Sequence, residues 1–239
     1  MKRYTQLHVW MVGILLLVQI GIFRFYWPSF ETKSWEFHIH YWLVTAWYLL
    51  LIFQPYWATH GKLERHRTIG LLGFMIAGGA IFTAISLLDF PLKMVERWTP
   101  ESKGPPIPFY YGTLVIELVL ILAFAYAVVM GILRRKQVEE HAWWLTASAF
   151  FMMMPAVGRG MIVFWRSILL PEKLNPMFIA ISAEVIYIPL LLIFARKFGK
   201  IKHPATYLAL LMVLVRFLRL PIGKSEWIQQ LLKTLIQTS

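Results

Sequence analysis

The sequence predicts an all-α integral membrane protein: a helical bundle of about seven transmembrane helices followed by an amphipathic interfacial helix. Three observations predict it. Hydrophobic residues fill 59% of the 239 positions and charged residues only 15%, with a mean hydropathy of +0.61; a water-soluble domain carries about 25% charged residues. Apolar runs recur at or near the roughly 20 residues needed to cross about 30 Å of hydrocarbon. The Lys and Arg residues behind the net charge of +12 sit between those runs. Topology and lipid headgroups account for them there. Without interleaved aromatic and basic residues, nothing points to nucleic acid.

Residues 1–223 read as one bundle and 224–239 as a tail. The expected spans are Leu7–Tyr26, His40–Trp57, Thr68–Leu88, Phe109–Leu133, Ala142–Trp165, Met177–Ala195 and Ala205–Leu220. Met1-Lys2-Arg3 before the first run imitates a signal peptide, but no small-x-small site follows, so this run reads as an uncleaved helix. Gly70, Gly73, Gly78 and Gly79 make the third span the expected place of close helix approach. Pro155 and Pro189 sit inside the fifth and sixth spans. In the tail, Trp227, Leu231, Leu232, Leu235 and Ile236 recur at helical spacing, as in a helix lying on the membrane surface. Of eleven Trp residues, Trp27, Trp35, Trp57, Trp98, Trp143, Trp144 and Trp165 lie near span ends, an expected aromatic belt.

Counting basic residues in alternate loops orients the chain. Lys2, Arg3, Lys62, Arg65, Arg67, Arg134, Arg135, Lys136, Arg196, Lys197, Lys200 and Lys202 fall on one side, twelve in all. Arg24, Lys33, Lys93, Arg97, Lys103, Arg166 and Lys173, seven in all, fall on the other. The richer side is expected to be cytoplasmic, with the N-terminus there, in a bacterial inner membrane.

Charges within the spans are costly and ordinarily face the bundle interior. They are Glu117, Arg159, Glu184 and Arg216. At about 1.5 Å per residue all four lie roughly 6–12 Å below the outer boundary, and His40 opens the second span on that side. Two acids and two bases at one depth neutralise each other by facing inward. His40, Glu117, Arg159, Glu184 and Arg216 are therefore the candidate ligand-binding cluster. The alternative is a set of ion pairs that only fixes helix order.

His8, His60, His66, His141 and His203 gather near the opposite face. Imidazoles suit b-type haem or a metal ion, and His60, His66 and His141 are the candidates for either. The spacing matches no compact metal signature. The competing reading is interfacial histidines that contact lipid phosphate or cap helix ends. His38 and His40 point about 200° apart on a helix, which disfavours joint ligation. The absence of cysteine excludes disulfides, thiolate nucleophiles, iron–sulfur clusters and covalently attached haem. No glycine-rich phosphate loop, GxSxG elbow or mid-span lysine of a retinal Schiff base is present.

Three segments carry a resemblance. They are His40-Tyr-Trp-Leu-Val-Thr45-Ala46-Trp47 running on to Gln54; His66-Arg67-Thr-Ile-Gly70; and His141 followed fourteen residues later by Pro155-Ala156-Val-Gly158-Arg159. His203-Pro204-Ala205-Thr206 is a weaker fourth. In this order they resemble a family of bacterial multi-pass membrane proteins classed as a domain of unknown function, over about residues 38–210. Leu145 and Trp143-Trp144 depart from that pattern, where more basic and methionine character is expected. The resemblance implies no activity, but it picks out His40, Gln54, His66, His141 and Arg159. Three roles stay open: binding or translocation of a small polar or amphipathic ligand at the outer cluster, redox chemistry at the inner histidines, or a scaffold subunit of a larger membrane complex.

Overall fold

The computed structural model describes residues 4–102, 105–169 and 175–237. Among them only helices and short connections occur: α1 (Leu7–Tyr26), a 3-10 turn (Trp27–Thr32), α2 (Trp35–Thr59), α3 (Leu63–Ser86), α4 (Phe90–Glu96), α5 (Ile107–Leu133), α6 (Val138–Ile168), α7 (Pro176–Lys197), α8 (Pro204–Phe217), α9 (Arg219–Lys224) and α10 (Glu226–Gln237). Each expected span falls on a helix, the last divided between α8 and α9. Four helical stretches, Leu7–Thr32, Leu63–Glu96, Ile107–Leu133 and Val138–Ile168, are long and apolar enough to cross a membrane. In α2 the run is diluted by His38, His40, Thr45 and Gln54. In α7 it is interrupted by Glu184 and Pro189. Lys2, Arg3, Lys103 and Lys173, and the side chains of Leu235 and Ile236, lie outside the described residues.

The connections are tight. Gly61 adopts φ +75° just after α2, a left-handed conformation that turns the chain into α3. Gly199 does the same after α7, with φ +67°. At one end of the bundle α1 meets α2 through the stacked rings of Tyr26 and Tyr41, and α2 meets α3 through His40 and Thr83. At the opposite end His8 meets His60, His66 meets His141, and His203 meets Glu140.

α6 is the hub. Its residues from Trp143 to Val157 are almost all apolar or small, and a helix apolar on every face is buried. It packs against α1, α2, α5, α7 and α8. Trp143, Phe150, Phe151, Met153 and Met154 are fully enclosed. Trp143 and Trp144 therefore depart from the expected belt: the Trp143 indole donates to the Thr206 hydroxyl, which in turn donates to the Lys200 carbonyl. Trp27 and Trp35 remain exposed at the α1–α2 end. On α3, Leu71, Met75 and Phe82 point outward, as lipid-facing residues do.

The close helix crossings also lie elsewhere than expected. A Cβ at Gly73 or Gly70 would meet nothing nearer than 3.8 Å, and one at Gly78 would meet nothing within 4 Å. Only Gly79 is tight in α3, 3.0 Å from the Leu43 side chain. By contrast, a Cβ at Gly21 would stand 2.5 Å from the Ala156 carbonyl oxygen, and one at Gly160 would stand 2.9 Å from Gly21 Cα. α1 and α6 thus touch backbone to backbone. α5 and α9 do the same at Gly112 and Gly223, whose Cβ atoms would fall 1.9 Å from the Arg219 oxygen and 1.7 Å from the Pro108 oxygen. α8 and α9 together therefore reach from the His203 end to the start of α5 at the other end.

α10 folds back on α5. Leu232 and Ile228 pack near Tyr111 and Leu114, while Trp227 and Leu231 stay exposed. The Gln229 amide secures the turn by donating to the Gly223 carbonyl.

Candidate functional site

The Gly21–Gly160 crossing fixes Arg159, the neighbour of Gly160, on the face of α6 that borders α1. There it lines a cavity of about 260 Å³ enclosed by α1, α2, α3, α5 and α6. The lining runs from Lys33 and Phe37 at the α1–α2 end to Phe124 and Phe151 in mid-bundle. Most of the wall is apolar. His40, Glu117 and Arg159, three of the five outer candidates, line it together.

The polar groups of this wall divide into two kinds. Some are satisfied within the protein. Tyr41 donates to the Gln19 side-chain oxygen, the Gln19 amide donates to the Thr45 hydroxyl at 3.3 Å, and that hydroxyl donates to the Tyr41 carbonyl. His40 is half satisfied. Its Nδ1 lies 3.0 Å from the Thr83 hydroxyl, which also lies 2.8 Å from the Gly79 carbonyl. Glu117 and Arg159 are of the second kind. Among the described residues neither has a hydrogen-bond or ion-pair partner at bonding distance, although Glu117 lies within electrostatic reach of Arg159, Arg216 and Arg219. An apolar pocket with a few convergent, unsatisfied polar groups is the usual form of a small-molecule site.

Glu184 and Arg216 stand apart from this cavity. Arg216 Nε donates to Glu184 Oε1, joining α8 to α7, with only 7% and 4% of the two side chains exposed. The pair abuts Gly158, where a Cβ would lie 3.7 Å from Arg216 Nη2. Among the described residues Glu184 Oε2 has no hydrogen-bond partner, and neither does the Tyr187 hydroxyl one turn later. The expected cluster thus resolves into a cavity triad and a buried ion pair behind it. Arg219 was not among the candidates. Its guanidinium lies over the Phe109 ring at 4.7 Å, and its Nε is buried with no hydrogen bond among the described residues. It stands one residue before the end of the last expected span, outside the depth the other four charges share.

The opposite face sorts its histidines into pairs. His60 belongs with His8 and Tyr56: its ring stacks on Tyr56 at 4.3 Å and lies 5.8 Å from His8. His66 and His141, from α3 and α6, lie 6.2 Å apart with perpendicular rings. His60 is thereby separated from the other two candidates. His203 caps α8, accepting from the Ala205 N–H at Nδ1 and meeting Glu140 at Nε2. The capping role considered for these histidines holds for His203. Among the described residues no group of three or more His, Asp or Glu could hold a metal ion.

Against known proteins, no family model, no curated protein and no solved structure matches this chain.

Proposed function

We propose that the chain is a seven-span protein of the bacterial inner membrane that binds one small amphipathic molecule in the cavity beneath His40, Glu117 and Arg159. Its N-terminus is cytoplasmic in this reading, which places the cavity toward the outer face. The observation that carries the reading is the pairing of an apolar wall with two opposite charges, neither held at bonding distance by a partner among the described residues. An alkyl chain occupies the Phe124–Phe151 end, and the head group accepts from the Arg159 guanidinium beside His40 and Glu117. Lys33 at the mouth adds a second cation, so an anionic head is favoured. The volume lies just under the roughly 300–1,000 Å³ of usual ligand pockets, which limits the ligand to a single short chain.

The test uses three probes with the same tail: decanoate, decanol and decyltrimethylammonium. Equilibrium binding to the full chain in nanodiscs should saturate at one decanoate per chain, weaken for decanol and fail for the cation. Arg159→Gln should abolish decanoate binding while the exposed Arg65→Gln leaves it unchanged. Binding indifferent to head group, or undiminished in Arg159→Gln, would overturn the proposal.

A further inference from the structure

The cavity that carries the proposed function holds a carboxylate as well as a guanidinium, and a plain anionic head leaves the carboxylate unanswered. Glu117 on α5 and Arg159 on α6 line the same wall, yet among the described residues they do not close into an ion pair. The carboxylate has three guanidiniums within electrostatic reach, those of Arg159, Arg219 and Arg216. Two of them are engaged elsewhere: Arg216 donates to Glu184, and Arg219 lies over the Phe109 ring. Other polar groups of the wall are occupied too. Tyr41, Gln19 and Thr45 serve one another, and His40 meets Thr83. Lys33, at the mouth, stands over the Phe37 ring at 5.6 Å. Glu117 and Arg159 are therefore the two groups that an occupant has to satisfy, and they are opposite in charge.

We propose, resting on the cavity reading above, that the head of the ligand is zwitterionic: an anion that accepts from Arg159 and a primary ammonium that donates to Glu117, as in an α-amino acid. An ionised carboxylate only accepts and a guanidinium only donates, so a single head meets both only if it carries an acceptor and a donor. Hydrogen bonds between charged partners are the strong ones, and away from bulk water they are screened least. A plain carboxylate on Arg159 sets a second negative charge beside Glu117, and like charges repel more strongly where the dielectric is low. A plain cation on Glu117 stands beside Arg159 and meets the same penalty. A quaternary ammonium, besides, has no hydrogen to donate. An α-amino acid head carries both charges on one carbon, so it bridges the gap that the Glu117 and Arg159 side chains leave open. It adds no net charge to an interior that already holds the Glu184–Arg216 pair. The alkyl chain keeps its place at the Phe124–Phe151 end.

The probes are decanoate, α-aminodecanoate and ω-aminodecanoate at neutral pH, bound to the full chain in nanodiscs. The last two carry the same pair of charges, but only α-aminodecanoate has both in its head. It should bind about 10-fold more tightly than decanoate, and ω-aminodecanoate, whose ammonium would enter the apolar end, should bind more weakly than either. Glu117→Gln removes the charge that faces the ammonium and should bring the affinities for decanoate and α-aminodecanoate together. Glu64→Gln, exposed in the first turn of α3, should keep the wild-type ratio. Equal wild-type affinity for decanoate and α-aminodecanoate, ω-aminodecanoate as tight as α-aminodecanoate, or a preference that survives Glu117→Gln would each overturn the proposal. The wild-type comparison decides whether or not Glu117→Gln folds. Decanoate bound without preference for its α-amino derivative strikes this inference alone; no binding of any probe strikes the cavity reading together with it.

Discussion

Removing either partner of the Glu184–Arg216 pair should cost far more than removing both. The two side chains are 4% and 7% exposed, and the carboxylate reaches no other cation at bonding distance. Stripping one partner leaves an uncompensated charge in a low-dielectric interior, at about 3–5 kcal/mol. Removing both leaves two neutral amides of similar shape, a change that is often nearly neutral. For a chain of this size about 1 kcal/mol corresponds to roughly 2–4 °C of Tm, so each single change should lower Tm by about 6–20 °C. The assay is thermal unfolding of Glu184→Gln, Arg216→Gln and the double variant in one detergent. The double variant should be more stable than either single one. Strictly additive losses would show that the two charges do not depend on one another and would refute the reasoning.

Gly160→Val should destabilise by about 1–3 kcal/mol, because its Cβ would stand 2.9 Å from Gly21 Cα in a backbone-to-backbone contact. Gly78→Ala, with nothing within 4 Å, should be neutral or stabilising by up to about 1 kcal/mol; equal effects on unfolding for the two would place the α1–α6 crossing wrongly. Burial holds the His203 imidazole below its ordinary value, against an opposing pull from the Glu140 carboxylate. The unfolded chain then binds the proton more readily, so the stability His203 contributes is full above about pH 6.5 and falls as the pH drops below that value. Protonation of Nδ1 would also remove the acceptor that caps α8. His203→Asn keeps a capping acceptor without the titration, so its acid limb of stability should be flatter than that of the wild type; a parallel limb would count against the assignment.

Much of the bundle was legible from hydropathy alone. The first expected span coincides with α1, and the others begin and end within a few residues of their helices, because apolar runs and the polar segments between them dominate a membrane chain. What hydropathy does not carry is rotation about each helix axis. Glu117, Arg159, Glu184 and Arg216 do lie toward the same end of the bundle, as their depth predicted. Depth says nothing of azimuth, and azimuth decides that Arg216 turns to Glu184 while Glu117 and Arg159 line the cavity. The tight crossings were illegible for a related reason. Gly21 and Gly160 are single glycines far apart in sequence, whereas the glycine-rich stretch of α3 forms no such backbone contacts. Trp143 and Trp144 stand near a span end, where an interfacial belt and a buried anchor look alike; the Thr206 hydroxyl that takes the Trp143 N–H belongs to α8 and leaves no local trace. On the histidine face, Gln54, His66 and His141 were singled out by pattern, and the structure supplies the contact among them that the pattern lacked.

The space bounded by His40, Glu117 and Arg159 is the proposed ligand site. The chain has no cysteine of its own, so one introduced in the cavity wall reports on that space alone. Ala84 lines the cavity without belonging to the charged triad. The decisive measurement is the rate at which N-ethylmaleimide alkylates Ala84→Cys in membranes with and without decanoate. Decanoate should slow the reaction several-fold, and the protection should vanish when Arg159→Gln is added; a rate that decanoate does not change would contradict the account.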